Sequence, residues 1–184
     1  MAVALALAGC GSSDQTAEQS MTYSVSMPVR SFPSRQLLAE HVQLRLDVTN
    51  ESSRAIPNVA ATILTGDAGV EAFGSYLEGR GLASRSRPVW VVDKGPVSGD
   101  SAYANTWALG AIGAHATRSF TWSVVPVRAG SYTLRYSLSG STTGRSPLRL
   151  ADGGAARGSF AVRVNGKPPQ VRVTPDGRIV TVSQ

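Results

Sequence analysis

The chain predicts an all-β fold, an antiparallel β-sandwich, from three observations. From residue 21 onward, apolar and polar residues alternate with period two in one segment after another. Each run is bounded by Gly, Pro, Asn or Ser, the residues that turn a chain. No segment keeps a 3.6-residue apolar period long enough to specify a helix. About seven short alternating strands without helices are stable only as two sheets packed face to face.

The strands follow in order. Tyr23–Met27 is a weak first strand, and Ser34–Glu40 has room for one helical turn. In His41–Asn50, Val42, Leu44, Leu46 and Val48 alternate with Gln43, Arg45, Asp47 and Thr49, the pattern of a half-buried strand. Asn50-Glu51-Ser52-Ser53 is a turn cluster, and Val59–Thr65 continues with β-branched residues. Phe120, Trp122 and Val124 share one face of Thr117–Val125. In Ser131–Ser139, Tyr132, Leu134, Tyr136 and Leu138 face one way, and Ser131, Thr133, Arg135 and Ser137 the other. Phe160, Val162 and Val164 form the inward set of Ser159–Asn165. Between them, Gly66–Gly113 reads as an irregular insert, with a candidate strand at Val89–Val92 and a Gly/Ser-rich stretch around Gly95–Ser101. After Lys167-Pro168-Pro169, Gln170–Thr174 and Arg178–Val182 flank Pro175-Asp176-Gly177, a hairpin signal.

Composition narrows the function classes. The chain of 184 residues reads as one domain with tails. Cys10 is its only cysteine, which excludes an intrachain disulfide and a cysteine-based metal cluster. The net charge of +6 comes from 16 Arg and 2 Lys, Lys94 and Lys167, against 12 acids. The arginines are scattered, with Arg85 and Arg87 the densest pair. The plain reading is an Arg-rich solvated surface. The sharper reading is attraction to cell-wall polyanions or lipid headgroups. With no run of three arginines, nucleic acid is not an expected partner.

Catalytic patterns are poor. His41 opens a strand and His115 lies in the turn Gly113-Ala114-His115-Ala116; neither has a His, Cys, Asp or Glu at ligand spacing. Gly99-Asp100-Ser101 resembles a nucleophile-serine motif. A serine needs a base and an orienting acid, and the following Ala102-Tyr103 does not extend the motif. A turn capped by Asp and Ser explains the same letters, with Ser101 in a flexible Gly-rich loop. Asp152-Gly153-Gly154 lacks the further carboxylates of a calcium loop. The expectation is no enzyme, no metal and no cofactor. The remaining candidate ligand surface is aromatic: Trp90, Tyr103 and Trp107, in or beside the insert, would make a flat platform for a sugar ring or a partner protein if exposed, and core if buried.

At the N-terminus, an almost wholly apolar run from Met1 ends in Leu7-Ala8-Gly9-Cys10. This resembles the lipobox of bacterial lipoproteins. The resemblance implies cleavage between Gly9 and Cys10 and a diacylglyceryl group on the Cys10 sulfur. Two or more acyl chains hold a protein stably where one is marginal, at about 0.8 kcal/mol per buried CH₂. No Lys or Arg precedes Arg30, so the expected basic start of the signal lies further upstream. Gly11–Ser20 reads as a flexible tether with an r.m.s. span of roughly 17 Å.

Two further pieces carry a second resemblance. LRLDVTNESSRAIPNVAATI (residues 44–63) and LGAIGAHATRSFTWSVVPVRAGSYTLRY (residues 109–136) resemble bacterial immunoglobulin-like surface domains, including those of the CARDB adhesion-related type. The resemblance leaves Gly66–Asn105 unmatched. It implies that Tyr132, after Ala129-Gly130-Ser131, is a tyrosine corner whose hydroxyl bonds back to the upstream backbone.

The expected organisation is therefore a signal remnant at 1–9, a lipid-anchored tether at 10–20, an immunoglobulin-like sandwich at 21–165 with an insert at about 66–113, and a tail or hairpin at 166–184. The leading expectation is a non-enzymatic, extracytoplasmic protein, held on the cell membrane by its lipid, that displays the domain to an envelope protein or a cell-wall polymer. The alternative is a carbohydrate- or solute-binding module using the 66–113 insert.

Overall fold

Alternation along the strands becomes two facing sheets. The computed structural model describes residues 21–67, 70–75, 88–96, 101–103, 105–168 and 170–182. In chain order the strands begin with β1 (Tyr23–Ser26), β2 (Arg30–Ser31), β3 (Arg35–Leu37), β4 (Val42–Asn50) and β5 (Ile56–Thr65). The middle supplies β6 (Phe73–Ser75), β7 (Trp90–Lys94), β8 (Ser101–Tyr103), β9 (Thr106–Ile112) and β10 (Thr117–Pro126). The last are β11 (Gly130–Ser139), β12 (Leu148–Arg149), β13 (Arg157–Asn165), β14 (Gln170–Val173) and β15 (Ile179–Val182).

One sheet runs β12-β1-β4-β10-β7-β6, with β2 also against β4; the other runs β3-β13-β11-β5-β9-β8. The long ladders β4–β10, β11–β13 and β5–β11 are antiparallel. Short parallel pairings join β1 to β12, β3 to β13 and β6 to β7, so both sheets are of mixed orientation at their margins. The strands β14 and β15 pair separately as the expected hairpin. Among the described residues no helix is long and apolar enough to cross a membrane.

The core is the set that the period selects. Val42, Leu44, Leu46, Val48, Phe120, Trp122, Leu134 and Tyr136 are all buried. A run of edge-to-face rings crosses between the sheets: Tyr132 on Trp90 (5.8 Å), Trp90 on Phe73 (6.2 Å), Phe73 on Trp107 (5.7 Å) and Trp107 on Trp122 (6.0 Å). Such contacts contribute about 0.5–1.5 kcal/mol each beyond the area they bury. The Trp122 indole N–H is buried without a hydrogen-bond partner.

Three expectations are corrected. Ser34–Glu40 makes no helical turn. Its centre is β3, whose backbone joins the free edge of β13 through Arg163 N–H to Ser34 O (2.8 Å) and Leu38 N–H to Asn165 O (3.2 Å). An unpaired edge is a ready template for an added strand, which outweighs a weak local helical preference. The 66–113 segment is not only irregular: it supplies β6, β7, β8 and β9, and β9 pairs along β5. Its period is hidden by Gly110, at φ +79°, where a bulge opposite Val59 shifts inward burial from Trp107 and Leu109 to Ile112. A second register shift, between Ile56 and Val59, accommodates Pro57 in an inner strand, where a proline inside the regular ladder would remove a hydrogen bond. Finally, Ser101 begins β8, paired to β9, rather than a loop.

Asn50 closes the end of β4. Fully buried, its amide nitrogen donates to the carbonyls of Arg54 (2.8 Å) and Gly113 (3.0 Å), and its oxygen accepts from Ser52 N–H (3.0 Å). One side chain thereby fixes the turn after β4 against the loop after β9. The sequence marks the turn, and the packing sets its second anchor.

Candidate functional site

The two tryptophans of the candidate platform are not on the surface. Trp90 is fully buried and Trp107 nearly so, both within the ring stack between the sheets. Trp90 lies on β7, where Phe32, Phe73 and Tyr132 surround its indole. Burying so large an apolar area outweighs any gain from showing it to water. Tyr103 has its backbone in β8, and its side chain lies outside the described residues. Gly9, Cys10 and the tether, and Arg85 and Arg87, also lie outside them.

The candidate catalytic groups stand apart in the fold. His41 is exposed beside β4, with Nδ1 3.6 Å from Asp93 Oδ2 on β7. His115 occupies the turn between β9 and β10 at φ +55° and is exposed. Ser101 lies on β8, an edge strand of the other sheet. Asp152 accepts from Gly154 N–H (2.8 Å), closing its own turn. The Tyr132 hydroxyl donates to Ala129 O (2.8 Å), which is the tyrosine-corner bond.

What the fold gathers instead is charge. The six strands of the second sheet contain no Asp or Glu, yet they carry Arg35, Arg135, Arg157 and Arg163. All four arginines are exposed, and none joins an ion pair among the described residues. They occupy outward positions of β3, β11 and β13. Arg163 pairs across to Arg35 on one side and Ser131 on the other. Arg135 lies opposite Ser159 and Leu64, and Arg157 lies opposite Ser137.

The first sheet differs. Its strands hold Asp47 and Asp93, and three of its four arginines, Arg45, Arg118 and Arg149, are engaged, with Arg30 exposed on the short strand β2. Arg45 grips Asp47 with Nε to Oδ1 and Nη2 to Oδ2, both 2.9 Å. That bond holds the Asp47 carboxyl below the usual carboxylate range, against the opposing effect of burial. Arg118 donates to the carbonyls of Leu109 (3.3 Å) and Ala111 (3.0 Å).

Along the β11–β13 ladder the small outward residues leave shallow hollows. One of about 730 Å³ lies by Arg35 and Arg163. The next, about 320 Å³, shares Ser131 and Arg163 with it and continues over Thr133 and Ala161. A third, about 550 Å³, lies by Arg135 and Arg157. The first two share lining residues and the third follows along the same ladder, so that the three line up as a trough along the strands. Scattered spacing hid it in the sequence, although Arg135 already stood in the outward set of its strand.

The fold and this face define an immunoglobulin-like β-sandwich with one unpaired cationic sheet. No protein-family model matches the chain, and no curated protein matches it by sequence. Among solved structures, it is similar to the CARDB domain of a Pyrococcus furiosus protein in complex with di-metal ions: 10% identity over 79% of this chain and 93% of that one, TM-score 0.43. A cohesin module from a Clostridium perfringens family 33 glycoside hydrolase gives 7% identity over 80% and 99%, TM-score 0.46. Native α-2-macroglobulin from Escherichia coli gives 11% over 86% and 21%, TM-score 0.46. At these overlays and identities none of them speaks for a ligand.

Proposed function

We propose that the chain is a non-enzymatic lipoprotein of a bacterial envelope, anchored through Cys10 outside the cytoplasm, whose sandwich is displayed for protein or cell-wall interaction. The observation that carries this reading is the order of segments. An apolar run ends in Leu7-Ala8-Gly9-Cys10, a polar stretch follows, and the folded strands begin at Tyr23. Diacylation would give firm attachment, and a tether of roughly 17 Å would place the sheets just beyond the headgroups. The burial of Trp90 and Trp107 supports this reading over a sugar- or solute-binding module, which needed those rings exposed.

The test is fractionation. The chain, expressed behind a complete lipoprotein signal that leaves Leu7-Ala8-Gly9-Cys10 intact, should yield a membrane-bound product that incorporates labelled palmitate, and Cys10→Ser should move it to the soluble fraction. A Cys10→Ser protein that stays with the membrane would refute the anchor. Labelling of the chain by a fluorophosphonate probe, abolished by Ser101→Ala, would refute the non-enzymatic part.

A further inference from the structure

We infer that the trough along β11 and β13 is a docking surface for a linear phosphate-bearing polymer, laid parallel to the strands. This rests on the reading of the domain as an envelope display module, and it names the partner.

Length and charge point the same way. Arg157 and Arg163 are six residues apart on β13, which at about 3.3 Å per residue separates them by roughly 20 Å. Arg135 lies between them on the neighbouring strand, opposite Ser159, and Arg35 doubles the charge beside Arg163. The result is a line of cations longer than any single small anion. Its repulsion is uncompensated within the sheet, since those strands contain no carboxylate. Two carboxylates from outside these strands line the hollows, Glu40 beside the first and Asp67 beside the second, and Glu40 accepts from the Leu37 N–H (2.9 Å); none lines the third hollow, by Arg135 and Arg157. An extended polyanion relieves that repulsion along the whole line.

The side chains between the arginines select phosphate. Ser131, Thr133, Ser137 and Ser159 place hydroxyl donors beside guanidinium forks. Arginine with Ser and Thr is the usual donor set for phosphate oxygens. Small residues also let a polymer backbone approach the sheet closely. A membrane surface fits less well, because Leu64 is the one large exposed apolar side chain on these strands among those described. Among the described side chains no aromatic ring is exposed there for stacking on nucleic acid bases.

The experiment uses the full chain carrying Cys10→Ser, so that binding is read without the anchor. Long-chain inorganic polyphosphate, poly-L-glutamate, single-stranded DNA and phosphatidylglycerol–phosphatidylcholine vesicles are titrated at several salt concentrations. Polyphosphate should bind most tightly. The pair variants Arg35→Gln/Arg163→Gln and Arg135→Gln/Arg157→Gln should each weaken it. Each should also flatten the plot of log affinity against log salt by about 0.7 per arginine removed. Arg30→Gln/Arg172→Gln, which removes the same charge elsewhere, should leave both unchanged. Unfolding curves confirm that every variant is folded. The inference falls if no probe binds, if glutamate polymer, DNA or vesicles bind more tightly than polyphosphate, or if the control pair loses as much as the trough pairs. Failure here, with Cys10→Ser still releasing the protein from membranes, would leave the envelope reading standing.

Discussion

The indole N–H of Trp90 donates to the side-chain oxygen of Gln36 at 2.6 Å, a buried bond between strands of opposite sheets. Gln36 is 2% exposed, and its amide nitrogen donates in turn to Pro33 O at 2.9 Å. The glutamine on β3 thus ties the edge of one sheet to the tryptophan at the centre of the aromatic stack. A buried polar pair of this kind is costly to break from one side only, because the remaining group is left without water or partner.

That asymmetry predicts a coupling. Gln36→Leu and Trp90→Phe should each destabilise the fold, in part because each leaves a buried polar group unpaired, a cost of about 1–3 kcal/mol. The double variant should be less destabilised than the sum of the singles, by about 1 kcal/mol or more. Denaturant unfolding of the four proteins measures it. Strict additivity would mean that the bond contributes nothing.

Tyr136 and Gly158 are directly opposed on β11 and β13. The tyrosine ring lies where a Gly158 side chain would be, with Cζ 2.7 Å from the position of an added Cβ. Alanine normally suits a strand better than glycine. Here Gly158→Ala should instead destabilise by about 1–3 kcal/mol, the usual cost of forcing atoms into a packed core. Thermal unfolding checks the sign, and Tyr136→Leu in the same chain should recover part of the loss.

Tyr132→Phe removes the bond to Ala129 O while leaving the ring against Trp90. The hydroxyl is reached by solvent, so the loss should fall near the low end of the usual range, about 0.5 kcal/mol. The denaturation midpoint should drop at unchanged slope. A midpoint equal to that of the parent would show that the corner bond is replaced by water.

Asp47 should give the fold an acid limb. Its folded-state pKa is depressed, first by the Arg45 hydrogen bonds, with burial opposing. A depressed carboxylate contributes stability that is present above its unfolded value, about 3.9, and is lost as pH falls through the lower folded value. Stability measured downward from neutral pH should therefore decline below about pH 4. In Asp47→Asn that decline should be shallower. An identical acid limb in the two proteins would remove Asp47 as its source.

The sequence by itself determined the class of fold and most of the core. Inward sets such as Leu44, Leu46, Trp122 and Leu134 were legible because a strand sends alternate residues to one face whatever lies beyond it. The Tyr132 corner was legible as a resemblance for the same local reason. What only the tertiary structure decided depends on which strands become neighbours. Strand β3 exists because β13 offers a free edge, and β9 because β5 accepts a bulged partner at Gly110. Trp90 and Trp107 were open to surface or core in the sequence, with the valines around Trp90 favouring core, and two sheets closing over them decided it. The cationic trough is the clearest case. Arg35, Arg135, Arg157 and Arg163 are separated by up to most of the chain, and no run or spacing marks them. They share a face because ladders β3–β13 and β13–β11 set their register, and through-space charge depends on that register rather than on sequence distance.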